Sequence, residues 1–237
     1  MYEQNYQNGY PMEEGMRKHA MRTFGWMGLA LLVTAISAAF FYFSGIYLRL
    51  YLMLGGLGYI LMIALQFGVV IAFSARLTER SVGTTRMLFL AYALITGLTF
   101  SVIGLLYDAR SIMFAFGITA IYYGALAVIG YTTRINLMKF GPLLYISLIV
   151  LIISEIVLAL MGTSGDTMLL TTIGLLIFTG LTAYDVQKMK VLYLQCEDEA
   201  LRERLSVYSA FELYLDFINI FMYILQMIGK IGRASCR

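Results

Sequence analysis

The sequence predicts an all-α integral membrane protein, a bundle of seven transmembrane helices. Three observations carry this. The chain is 60% hydrophobic and only 13% charged, whereas soluble domains are about 45–50% apolar and about 25% charged. Its apolar residues gather into seven runs, roughly 24–44, 50–73, 87–107, 112–131, 142–161, 168–187 and 207–229. Each approaches the ~20 residues a helix needs to cross ~30 Å of hydrocarbon. Only 2 of the 237 residues are proline, so few of these helices should be broken.

In chain order, residues 1–22 are polar and rich in Tyr and Asn. They lack an apolar core and a small-residue cleavage site, so they are expected to form a flexible cytosolic tail rather than a signal peptide. The membrane domain then occupies 23–230. Span two carries Gly55, Gly56 and Gly58, span three Gly97 and Gly104, span four Gly117, Gly124 and Gly130, and span six Gly174 and Gly180. Small residues at such positions let helix backbones approach closely; Gly117 and Gly124, seven apart, share a face. Connections are short except the charged stretch 188–206 between spans six and seven. Residues 231–237 read as a tail foreign to the helix before them and carry no functional weight.

Lys and Arg set the expected orientation. Twelve of the seventeen fall on the side of the N-terminus: Arg17, Lys18, Arg22, Arg76, Arg80, Arg86, Arg134, Lys139, Lys188, Lys190, Arg202 and Arg204. Five fall opposite. A cytosolic N-terminus follows. The two cysteines, Cys196 and Cys236, form neither a paired framework nor a metal-binding spacing. The single histidine, His19, precedes span one, which removes histidine-based catalysis and His clusters from the membrane. No loop has the spacing of a calcium-binding helix–loop–helix hand.

The chemistry therefore rests on acids inside apolar segments: Glu155, Asp185, Glu212 and Asp216. A carboxylate in hydrocarbon costs several kcal/mol unless it is protonated, paired or wetted, and such groups usually mark a functional path. Glu212 and Asp216 are four apart and Asn219 follows three later, giving span seven a polar stripe. Asp216 lies about ten residues, or ~15 Å, into span seven from the side at which Asp185 ends span six. Antiparallel neighbours would bring the two to similar depth. Facing carboxyl groups in a low dielectric do not both ionise; they share a proton and titrate as one unit. Losing that proton either pushes the helices apart or recruits a cation, with carboxylate oxygens the preferred ligands of Ca²⁺. A buried hydrogen bond that merely fixes helix register is the competing reading. Arg76, at the end of span two, could latch the pair; Glu155 could bond a hydroxyl or another helix's arginine, or line a second wet path.

The segments AYDVQKMK (Ala183–Lys190) and ELYLDFINIFMYILQMIG (Glu212–Gly229) resemble the transmembrane Bax-inhibitor-motif family. TGLTFS (Thr96–Ser101) and the stretch Phe116–Gly141 are also similar to it, and the likeness covers nearly all the chain after residue 20. The resemblance implies a seventh helix at the centre, wrapped by one layer of spans 1, 2 and 6 and another of spans 3, 4 and 5. It implies that Asp185 and Asp216 are a pH-sensing, gating pair and, as metal ligands, line a Ca²⁺ pathway. Arg76 would be the latch, with Glu212, Asn219 and Glu155 as accessory polar groups. The implied activity is a passive, pH-dependent Ca²⁺ leak in a bacterial plasma membrane, closed when the pair is protonated. No cofactor is expected beyond Ca²⁺ as the transported ion. Protons, the lipid bilayer and a membrane-protein partner are the expected associates, with no nucleic acid, and a monomer is favoured. The segment after Arg76 reads Arg-Leu-Thr-Glu-Arg, less basic than the family's pattern, and mid-span two offers only Gln66 where an acid is expected.

Two other classes compete. One is a regulator that acts by binding other membrane proteins, with the N-terminal tail as its contact. The other is an intramembrane enzyme, which the residues disfavour. No membrane histidine is present to activate a GxSG serine, and Asp216 sits in YLDF rather than the GxGD of aspartyl proteases.

Overall fold

A computed structural model of the chain describes residues 2–46, 49, 52–53, 55–75, 81–161 and 168–235. The described residues are helical with short connections. In chain order they form α1 (Tyr2–Ser44), α2 (Gly56–Ser74), α3 (Val82–Phe100) and α4 (Ile103–Leu106). There follow α5 (Ala109–Thr132), a 3₁₀ turn (Leu137–Phe140), α6 (Gly141–Leu160), α7 (Met168–Gln195) and α8 (Glu199–Ser235). Six helical segments among the described residues are long and apolar enough to cross a membrane: Glu13–Ser44, Val82–Leu106, Ala109–Thr132, Leu137–Leu158, Met168–Gln195 and Glu199–Gly229. The remaining expected span, 50–73, meets α2, whose apolar stretch Ala64–Phe73 is shorter; residues 50, 51 and 54 lie outside the described residues.

Polar side chains set several helix ends. Ser81 caps α3 by accepting the Thr84 amide at 3.1 Å, and Asp108 caps α5 by accepting the Ser111 amide at 3.0 Å. At the end of α3 the Ser101 hydroxyl donates back to the Leu98 carbonyl at 2.6 Å. Such back-bonding competes with the helical ladder, and it coincides with a break inside expected span three. Where the sequence suggests a flexible tail, α1 is already helical from Tyr2. Met16, His19, Ala20, Thr23, Met27 and Ala30 are buried at helical three- and four-residue spacing. At 43 residues, α1 is about 65 Å long, twice the hydrocarbon thickness.

The chain forms two packing units. The first comprises Met1–Leu106 and Met189–Tyr214. Its core is aromatic: Phe211 lies 4.2 Å from Phe73 and 5.5 Å from Phe89, ring centre to ring centre. Such tilted and edge-to-face pairs add about 0.5–1.5 kcal/mol beyond burial. The Thr34 hydroxyl is 2.7 Å from the Tyr214 hydroxyl and 3.0 Å from each of the Ala30 and Ala93 carbonyls. It has one proton to give, so Tyr214 donates to Thr34 and the two carbonyls share the Thr34 proton. Beside it Gly97 lets α3 close on α1, since a Cβ there would lie 2.7 Å from the Thr34 carbonyl oxygen. Arg86 pairs with Glu203 and lies over the Trp26 ring. The N-terminal part of α1 is seated by His19 against Tyr193, ring centres 5.0 Å apart. Arg202 lies over the same Tyr193 ring and donates to the Cys196 carbonyl at 2.6 Å.

The second unit comprises Tyr107–Lys188 and Leu215–Arg237. Here glycines do the close packing. A Cβ on Gly130 would meet the Ala183 carbonyl oxygen at 2.6 Å, one on Gly180 the Leu144 side chain at 2.8 Å, and one on Gly174 the Tyr223 ring at 2.5 Å. Gly117 and Gly124 behave otherwise: an added Cβ has nothing within 4 Å, so their shared face is not a close contact within the chain. Tyr122 and Thr179 join α5 to α7 through a 2.7 Å hydroxyl–hydroxyl hydrogen bond. Phe217 on α8 packs edge-on against Phe116 and Tyr123 of α5, at 5.6 and 5.4 Å.

Candidate functional site

Asp185 and Asp216 lie in the second unit, on α7 and α8. Asp185 occupies the buried stripe Phe178, Leu181, Thr182, Asp185, Val186 and Met189, whose helical spacing turns one face of α7 inward. Asp216 is buried on α8, as are its neighbours along that helix Phe217 and Ile220. Of the six candidate spans, the one formed by α8 is the most enclosed by the rest of the chain. The two residues are 6% and 4% exposed, far from what a solvated acid shows. Both lie within electrostatic reach of Tyr123 of α5, itself buried. Two buried acids on two helices thus act electrostatically on one buried phenol contributed by a third.

The residues after Asp185 tie this centre to a connection. Gln187 accepts the Leu137 amide at 2.6 Å and donates to the Ile135 carbonyl at 2.8 Å, so one side chain clamps the segment joining α5 to α6. Lys188 donates to the Tyr145 hydroxyl at 3.3 Å. Within the run Tyr-Asp-Val-Gln, the acid points into the unit and the amide holds its edge. Tyr123 and Gln187 are missing from the sequence-derived site. Gln187 could have been found there, because it lies inside the very motif that singles out Asp185. Tyr123 could not, since nothing in sequence separates it from the neighbouring Tyr122.

The remaining sequence-derived residues divide. Glu155 on α6 is exposed and accepts a hydrogen bond from the Tyr223 hydroxyl of α8 at 2.9 Å. Its partner is thus a hydroxyl, one of the three options left open by the sequence. Asn219 is half-buried and donates to the Leu215 carbonyl of its own helix at 2.7 Å. Glu212 is half-buried on the part of α8 that belongs to the first unit. Arg76 lies outside the described residues, as does Asp166. Asp108 is a helix cap whose carboxyl is held below the usual carboxylate range by the Ser111 hydroxyl and amide. Among the described residues no three His, Cys, Asp or Glu side chains converge as a metal cage.

A family model described as "Inhibitor of apoptosis-promoting Bax1" matches residues 16–233. The chain is 36% identical over 218 residues to the inner membrane protein YbhL of Escherichia coli K12, covering 91% of this chain and 93% of that protein. It is 37% identical over 214 residues to an uncharacterised protein of Borreliella burgdorferi, covering 90% and 92%. A Rickettsia prowazekii protein is 33% identical over 219 residues, covering 92% of each.

Proposed function

Because the chain belongs to the Bax inhibitor family, and with it to the multi-pass membrane proteins, we propose that it is a pH-sensitive leak through which Ca²⁺ passes down its gradient, gated by Asp185 and Asp216. The observation that carries this reading is the burial of both acids, each within electrostatic reach of the buried Tyr123. Two such carboxyl groups in a low dielectric hold one proton between them and titrate as a pair. In the singly protonated or fully protonated pair the helices sit together without net repulsion. As the pair loses its last shared proton, two negative charges must separate or take up a cation, and oxygen-ligated Ca²⁺ suits them. Acid closes the path and neutral pH opens it.

Gln187 gives that event a route to the edge of the unit, since it follows Asp185 by two residues and holds both Ile135 and Leu137. The reading carries further parts. The last span is central, with spans one, two and six on one side and three, four and five on the other. The N-terminus faces the cytosol, Arg76 latches the pair, and the protein performs no covalent chemistry. The enclosure of α8 supports the first of these; the charge asymmetry supports the second.

Purified protein in liposomes loaded with a Ca²⁺-sensitive dye provides the test. Ca²⁺ flux should rise from acid to neutral pH, and the double substitution Asp185→Asn with Asp216→Asn should flatten that profile. A double variant with unchanged flux and unchanged pH dependence rejects the gate. The family's description, which names a protein target, favours a second reading: a regulator that binds another membrane protein. That reading makes no demand on the two aspartates, so the same double variant separates the two.

A further inference from the structure

The acids of the second unit are not all at one end. The start of α6 packs on Tyr184, the residue before Asp185, because a Cβ on Gly141 would meet the Tyr184 ring at 2.8 Å. Glu155 comes 14 residues later, ~21 Å up the helix and ~8 Å from its far end. On α8, Asp216, Asn219 and Tyr223 are spaced by three and four residues, so they share one stripe that climbs ~10 Å from the buried acid. Tyr223 terminates this stripe at Glu155, donating to its Oε1 at 2.9 Å. Tyr223 itself is buried and packed on Phe178 and Gly174. A rigid, buried phenol therefore holds an exposed carboxyl group at a fixed place.

Among the described residues of this unit, the acids besides the buried pair are Asp108 and Glu155. Both Asp108 oxygens are engaged by Ser111 in capping α5. Glu155 is the one that meets the polar stripe. An ion path needs a site that attracts a cation yet releases it. A lone carboxylate near the end of its helix binds a cation weakly and exchanges it fast, which fits an entry station better than a storage site. The stripe beyond it supplies the Asn219 amide, whose oxygen is of the kind Ca²⁺ takes.

We propose that Glu155, positioned by Tyr223, is the cation-capturing carboxylate at the end of this unit opposite Asp185, and that divalent cations pass between it and Asp216 along the Asn219–Tyr223 stripe of α8. This inference rests on the Ca²⁺-leak reading above. It differs from a register-fixing bond between α6 and α8 in what it demands of the side chain. Glu155→Gln keeps an oxygen for Tyr223 and removes only the charge. Tyr223→Phe removes the bond and keeps the charge.

The test is Ca²⁺ flux into dye-loaded liposomes, measured across pH and across external Ca²⁺ concentration, for the full chain and both variants. Glu155→Gln should lower flux about fivefold at low Ca²⁺, the size of one exposed charge's contribution, and recover as Ca²⁺ is raised. The pH midpoint, set by the aspartate pair, should stay where it is. Tyr223→Phe, which loses the positioning bond and keeps the charge, should lower flux by about twofold, less than Glu155→Gln does. A Glu155→Gln variant with parental flux at every Ca²⁺ concentration overturns the inference while leaving the leak reading intact. A Tyr223→Phe loss equal to or larger than that of Glu155→Gln also overturns it, since the bond and not the charge would then matter. A parent chain that passes no Ca²⁺ above empty vesicles removes the leak reading, and the inference with it.

Discussion

At Gly130 the missing side chain is a structural requirement of a different kind from that at Gly117. An added methyl on Gly130 would press on backbone, 2.6 Å from the Ala183 carbonyl oxygen and 3.0 Å from its Cα. Backbone in a helix cannot step aside as a flexible side chain does. Gly130→Ala should therefore cost roughly 1–3 kcal/mol, as overpacking does. At Gly117 nothing lies within 4 Å, and Ala is the better helix former by about 1 kcal/mol; Gly117→Ala should be neutral or stabilising. Thermal unfolding of the two variants in detergent reads the contrast directly. Sequence treats the two glycines alike, as small residues on one helix. Only the path of α7 past α5 distinguishes them, and that path depends on contacts between residues some fifty positions apart.

At the scale of elements, hydropathy locates the membrane-embedded portions well and the polar extensions poorly. The expected spans 112–131, 142–161 and 168–187 begin within a few residues of α5, α6 and α7. Yet α7 continues to Gln195 and α8 starts at Glu199, so most of the charged stretch 188–206 is helix rather than loop. An apolar run ends where the side chains become polar, but a helix ends where its backbone bonds do. The same distinction explains the helical start of α1, whose buried face includes His19. The Gln187 clamp on the connection before α6 is likewise a backbone matter. Replacing Gln187 with Ala should leave the Leu137 amide without its 2.6 Å acceptor. Loss of a hydrogen bond worth about 1–1.5 kcal/mol should speed exchange of that amide about tenfold. Hydrogen exchange read by mass spectrometry over residues 133–140 measures it, with segments of the first unit as the internal reference.

For the molecule as a whole, the acids were legible because composition makes them expensive. Asp185 and Asp216 stand out in apolar runs, and both are buried. Their common neighbour Tyr123 and the Glu155–Tyr223 bond were not legible, because they require the rotational setting of one helix against another. The family match over residues 16–233 spans both packing units, so membership constrains the entire membrane domain and not one half of it. The pattern of residues therefore fixes which helices exist and which acids they carry, while packing decides which of those acids share a neighbour.

The first unit is built from two stretches of chain separated by the 82 residues from Tyr107 to Lys188. Tyr214 supplies the partner of Thr34, Phe211 fills the gap between Phe73 and Phe89, and Glu203 pairs with Arg86. During synthesis at about 5–20 residues per second, a completed α3 must wait roughly 5–23 s for these groups to be made, and α1 longer. Over that interval a polar hydroxyl cluster and an aromatic groove stand open in the membrane, exposed to chaperones and proteases. A chain stopped after Lys188 would never leave that state. Its half-life in a pulse-chase should be several-fold shorter than that of the full chain, and co-expressing Met189–Arg237 as a separate piece should lengthen it.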